Sequence, residues 1–225
     1  MEDKHLFINS TFYPVVFMFI VSVIFIGMLS IMYRFAEKSI ELHKIEYYQL
    51  NIIKMFATDI ASKSHQPRST IISPANLKEN FKNYIRSSTL PGSVEKYYVA
   101  TINGEILGYC FNIKGSGLWG TMQGLLAVNQ KLDKIIAFSI YDQMETPGLG
   151  ARVEENWFKS QFAGKEIVQN DTLVNFTLIS ESAAIRSNGE IRQITGASIT
   201  SESVVRMIKN EMTRIRAIFK GTKQL

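Results

Sequence analysis

Residues 95–113 read EKYYVATINGEILGYCFNI. Two runs rich in β-branched and aromatic residues flank Asn103-Gly104, a dipeptide that accepts positive φ at both centres of a tight hairpin turn. The stretch therefore predicts two antiparallel strands. The pattern returns in GLLAVNQKLDKIIAFSIYDQ (124–143), with a longer polar connection, and TLVNFTLI (172–179) reads as a further strand. Upstream the period is helical. RFAEKSIELHKIEYYQLNIIKMFATDIA (34–61) has few breakers and reads as one or two helices, SHQPRSTIISPAN (64–76) as a loop, and LKENFKNYIRSS (77–88) as a short amphipathic helix. Near the chain's end Val204, Ile208, Met212, Ile215 and Phe219 recur at helical spacing, a stripe suited to core packing. Strands bracketed by helices predict an α+β domain, an antiparallel sheet with helices packed on or around it.

The segment Phe12–Tyr33, FYPVVFMFIVSVIFIGMLSIMY, is uncharged throughout. A bilayer's hydrocarbon layer takes roughly 20 residues to cross, and Tyr13 and Tyr33 lie where interfacial aromatics anchor. No small-x-small cleavage site follows, so the segment reads as an uncleaved anchor rather than a signal peptide. The expected layout is an N-terminal tail (1–11), a transmembrane helix (12–33), a juxtamembrane helical segment and loop (34–90), and a sheet domain (91–225). Lys4 precedes the span while Arg34, Lys38 and Lys44 follow it, so the positive-inside rule places the C-terminal domain in the cytoplasm.

Composition narrows the chemistry. Of the 225 residues, 46% are apolar and 20% charged, ordinary for a folded protein. The net charge of +5 is spread along the chain without an arginine-rich stripe, which argues against nucleic-acid binding. Cys110 is the single cysteine and the histidines, His5, His43 and His65, are scattered, so no metal site is expected. Chemistry then falls to a bound cofactor.

Three motifs stand out. ITGASITS (194–201) sets Gly196 and Ala197 among hydroxyls at the start of the last helix; it reads either as a helix cap through Thr200 or Ser201, or as a phosphate site on the helix N-terminus. ETPGLG (145–150) fits a type II turn with Gly148 at the positive-φ position. KGSGLWGTMQG (114–124) surrounds Trp119 with glycines, leaving it either a core residue or a platform for a planar ligand.

In this order, GLWGTMQGLLAV (117–128), ETPGLGARV (145–153), WFKSQFAGK (157–165) and TGASITS (195–201) resemble the flavin-binding domain of ion-pumping redox complexes: the C subunit of the sodium-translocating NADH:quinone reductase and the G subunit of the Rnf electron-transport complex. The likeness runs from about Tyr97 to Phe219 and extends to the single N-terminal span. GLWG looks more like the former, FAGK and QITGASIT more like the latter.

The resemblance implies FMN joined through its phosphate to a hydroxyl in Asp-x-x-Ser/Thr-Gly-Ala-Thr/Ser, by a flavin transferase that uses FAD. The acceptor then falls on Ser198, with Thr195, Gly196, Ala197 and Thr200 around it. Leu118, Trp119 and Thr121 would border the flavin, and Glu145, Thr146 and Gly148 would form the turn against it. The family's Asp falls on Arg192, reversing the charge; this would either hinder the transferase or let Arg192 pair with the flavin phosphate. By resemblance the chain is a membrane-anchored flavoprotein relaying electrons among partner subunits of a respiratory complex, an electron-transfer subunit without an active site of its own. The domain is expected on the outer face of a bacterial inner membrane, against the charge rule. A stand-alone flavin shuttle and a non-redox module that has lost the flavin are the alternatives.

Overall fold

A computed structural model describes residues 12–169 and 172–221; the tail expected at 1–11 lies outside the described residues. Residues 12–64 form one helix, α1 (Phe12–Ser64), so the segment after the apolar span continues without a break. The chain divides into two compact units within that helix, between Tyr47 and Tyr48. In the first, an 18-residue stretch of mean hydropathy 2.8 has none of its residues buried, and by length and composition it is enough to cross a membrane.

The second unit starts with the last turns of α1. Ile52, Ile53, Phe56, Ala57 and Ile60 form a helical stripe and are buried. Two short helical turns, α2 (Arg68–Ile71) and a 3-10 turn (Pro74–Asn76), occupy the stretch read as loop, and α3 (Leu77–Tyr84) follows. The expected helix stops there. Ile85–Thr89 is strand β1, because Ile85 pairs with Ala100 and Thr89 with Lys96, and the ladder buries Ile85. β2 (Lys96–Ile102), β3 (Glu105–Ser116), β4 (Thr121–Asn129) and β5 (Ile135–Asp142) complete an antiparallel meander in the order β1-β2-β3-β4-β5. Asn103 (φ 51°) and Gly104 (φ 82°) make the predicted hairpin turn.

The sheet is covered on both faces, which is why β4 reads as a continuous apolar run rather than an alternation. Cys110, Leu125 and Ala127 face the α1 stripe, while Phe111, Ile113, Met122, Leu126 and Val128 face the C-terminal helix α5 (Ser198–Gly221). Of the stripe read from sequence, Val204, Ile208, Met212 and Ile215 are wholly buried there. Gly115 on β3 makes room for that helix: a Cβ on it would lie 2.1 Å from Met207 Cγ.

Between the sheet and α5 the chain forms a 3-10 turn (Gly150–Glu154), α4 (Asn156–Ser160) and four short strands. Thr172–Ile179 is not one strand. It splits into β7 (Thr172–Leu173), paired with β6 (Val168–Gln169), and β8 (Thr177–Ile179), paired in parallel with β9 (Glu190–Arg192). The break lies where Phe176 turns into the core. The α+β class is as the sequence predicts.

Candidate functional site

Three segments far apart in sequence meet at one end of the sheet. Between β3 and β4, Gly117 N–H donates to Gly120 C=O (2.7 Å), a tight turn that lifts Leu118 and Trp119 to its tip. Trp119 is 70% exposed there, so it is not a core tryptophan. After β5, Thr146 C=O accepts the N–H of Leu149 (3.1 Å) and Gly148 has φ +77°, the expected type II turn. The third segment is Ile194–Thr200, entering α5.

Glu145 pins the three together. Its side chain is buried (5% exposed); Oε1 accepts the N–H groups of Leu118 (2.8 Å) and Trp119 (3.1 Å), and Oε2 accepts the Thr200 hydroxyl (2.6 Å). The neighbouring glycines are explained by that carboxylate. A Cβ on Gly117 would sit 2.3 Å from Oε1, and one on Gly150 2.5 Å from Oε2.

The start of α5 is built from small residues for a similar reason. Gly196 has φ +78°, and a Cβ on it would come within 3.0 Å of Leu149. Thr200 and Ser201 lie inside the first turn and do not cap it. Thr200 is committed to Glu145, and Ser201 Oγ accepts Ile194 N–H and donates to Ala197 C=O, both at 3.0 Å. Among the described residues no hydrogen bond uses the N–H groups of Ser198, Ile199 or Thr200, nor the hydroxyl of Ser198, which is exposed. These are the free donors every helix start carries, together with its partial positive charge.

The resulting cleft holds about 430 Å³, within the roughly 300–1,000 Å³ common for small-molecule sites. Of the residues singled out from sequence, Leu118, Trp119, Glu145, Thr146, Gly196, Ala197, Ser198 and Thr200 line it; Thr121, Gly148, Thr195 and Arg192 do not. Sequence reasoning missed Leu149, Gly150 and Ile199. The first two sit inside ETPGLG itself, and Ile199 had a readable signal as a large apolar residue among hydroxyls; it is 57% exposed. A larger depression of about 950 Å³, around Lys63, Glu105, Asp133 and Lys134, shares no residue with the cleft and is walled by surface charges.

A second carboxylate acts from outside the cleft. The β8–β9 pair sets Ile179 beside Arg192, so the turn after β8 lies against the loop after β9. In that turn Glu181 accepts the N–H of Thr195 (2.8 Å) and a two-pronged contact from Arg152 (Nη1 3.2 Å, Nη2 2.6 Å). The Arg152 guanidinium, then the Thr195 N–H, hold the Glu181 carboxyl down at about 2. Arg192 is engaged elsewhere: its N–H and C=O bond the Gln161 amide (2.8 and 3.1 Å), and its guanidinium lies 5.8 Å from the Trp157 ring centroid.

The cleft suits an anionic group carrying a planar ring. The unused N–H donors of Ser198, Ile199 and Thr200 lie beside an exposed hydroxyl, and Leu118, Trp119, Leu149 and Ile199 offer apolar and aromatic surface. FMN fits that description through its phosphate and its isoalloxazine.

Comparisons with known proteins agree with the family read from the sequence. Residues 117–213 match the FMN-binding domain family, a span that includes every residue lining the cleft. The chain is 31% identical to the C subunit of the Na(+)-translocating NADH-quinone reductase of Pasteurella multocida over 110 residues, covering 49% of this chain and 42% of that protein. It is 30% identical to the corresponding protein of Haemophilus ducreyi over 152 residues, 67% of this chain and 54% of that one. The chain thus spans about half the length of these relatives. The crystal structure of the C subunit from Parabacteroides distasonis superposes with a TM-score of 0.56 at 22% identity, over 68% of this chain and 86% of that one, and shares its fold.

Proposed function

We propose that this chain is a membrane-anchored flavoprotein that carries FMN as a phosphoester on Ser198 and relays electrons within a redox complex of the sodium-translocating NADH-quinone reductase type. The observation that carries the reading is the exposed, unbonded Ser198 hydroxyl at the start of α5, beside three free N–H groups in a cleft within the matched segment.

Ser198 would hold the phosphate, with the N–H groups of Ser198–Thr200 around it, while Trp119, Leu118 and Leu149 flank the ring. A phosphoester would hold the group without relying on the weak attraction of the helix start for its charge. That attraction is worth about 0.3–1 kcal/mol at an exposed helix start. Among the described residues the lining contains no cation to add to that term. FMN would supply reversible electron uptake and release; the protein's part is to tether it and leave its ring accessible. Maturation would require a flavin transferase, and the remaining partners would be the other membrane subunits of the complex. The Phe12–Tyr33 stretch would lie in the inner membrane, with the flavin domain on the outer face, a reading supported by the family resemblance and opposed by the charges that flank the span.

The test is in-gel flavin fluorescence after denaturation, on the full chain produced with a flavin transferase, beside Ser198→Ala. A fluorescent wild-type band and a dark mutant are expected. A dark wild-type band from yellow protein would mean FMN is held without a bond; colourless protein would overturn the electron-carrier reading.

A further inference from the structure

We propose that Glu181, held by Arg152, is a positioning residue that presents Ser198 for flavin attachment. This rests on the reading of Ser198 as the FMN acceptor. The acceptor's loop is tethered on both sides by a carboxylate. Downstream, the buried Glu145 holds Thr200; upstream, Glu181 holds the N–H of Thr195. Between them Gly196 has φ +78°, a conformation open to glycine at little cost, so its own backbone preferences do little to hold the loop.

Geometry also says why Glu181 is suited to this. Arg152 belongs to the 3-10 turn that begins at the last residue of ETPGLG, so its contact with Glu181 joins one wall of the cleft to the loop that carries the acceptor. Both side chains keep about a quarter of their surface in water (24% and 26%), and they lie outside the apolar core. Arg192, two residues before Ile194, is turned onto Trp157 and Gln161 and provides no acceptor for the loop.

The step concerned is attack by Ser198 Oγ on the FMN-side phosphorus of FAD. The Oγ–P bond forms, the pyrophosphate bond breaks, AMP leaves with that bond's electron pair, and the hydroxyl proton passes to solvent. Its rate depends on where Oγ stands when the transferase delivers FAD. A displacement of about 1 Å is enough to slow such a step about a hundredfold.

The experiment uses the purified full chain without flavin, incubated with a flavin transferase and FAD, with the labelling rate read by in-gel fluorescence. Hydrogen exchange of the peptide 193–199 is read on the same unlabelled protein. Glu181→Ala is expected to slow labelling about tenfold or more and to speed exchange in that peptide, with sheet amides unchanged. Glu181→Gln, which keeps an oxygen for Thr195 N–H, is expected to recover part of both. Arg214→Ala, which removes ion pairs to Glu95 and Glu211 toward the far end of α5, should label like wild type. If Glu181→Ala labels at the wild-type rate, or Arg214→Ala slows equally, the positioning role is overturned while the Ser198 reading stands. A wild-type chain that never labels overturns both.

Discussion

Glu145→Ala should lower the unfolding temperature of the sheet-bearing unit by roughly 4–16 °C. The substitution removes three hydrogen bonds at once and leaves the Thr200 hydroxyl, 1% exposed, without its acceptor. Hydrogen bonds to a charged group contribute about 1.5–3 kcal/mol each. The two N–H groups at the Leu118–Trp119 tip regain water, however, so about 2–4 kcal/mol is the expected total loss. A domain of this size shifts by roughly 2–4 °C per kcal/mol. Glu145→Gln should behave differently. Its amide oxygen can accept from Leu118 and Trp119 while its NH₂ donates to Thr200 Oγ1, so a loss of about 1 kcal/mol is expected. Thermal unfolding followed by circular dichroism separates these. Equal, small shifts in both variants would mean the three segments do not need the carboxylate to stay together.

The second large effect is expected at the far face of the sheet. Phe56 is wholly buried among Ile52, Ile53, Ile60, Ile71 and the small β-strand residues Ala100, Cys110 and Ala127. Phe56→Ala should cost about 3–5 kcal/mol, the usual range for emptying an aromatic site in a core. The same packing leads us to propose that the folding unit begins near Tyr48 rather than at residue 91. A chain starting at residue 91 lacks β1 and the α1 stripe and bares the Leu125, Ala127 and Cys110 face. It should be recovered as aggregate, whereas one starting at residue 48 should unfold cooperatively. Cooperative melting of the shorter chain would refute this boundary.

Legibility followed the range of the interactions involved. The hairpin at Asn103-Gly104, the type II turn in ETPGLG and the apolar stripe of α5 are local, and each was readable from a few adjacent residues. What the sequence hid is set by distant partners. Ile85–Thr89 continues a helical pattern on its own and becomes a strand because β2 offers it a ladder. Phe176 interrupts an apparent strand because the core needs it. At the site, both glycine motifs could be found by eye, yet the reason they occur together is one carboxylate whose neighbours lie 27 and 55 residues away. Trp119 cannot be assigned to core or surface from composition, since the tip that exposes it is held by Glu145, 26 residues further on. The sequence allows Arg192 two roles because its partners Trp157 and Gln161 come from another segment.

Met207 seats in the gap Gly115 leaves on β3, and Thr200 lies seven residues earlier on the same helix, about 10 Å along its axis. The notch therefore lets α5 lie close against β3 at this point, and a side chain there would have to displace Met207 or lift the helix off the strand. The gap lies at the very end of β3, just before the turn that carries Leu118 and Trp119, so the seat of α5 and one wall of the cleft are set by neighbouring residues of the same strand end.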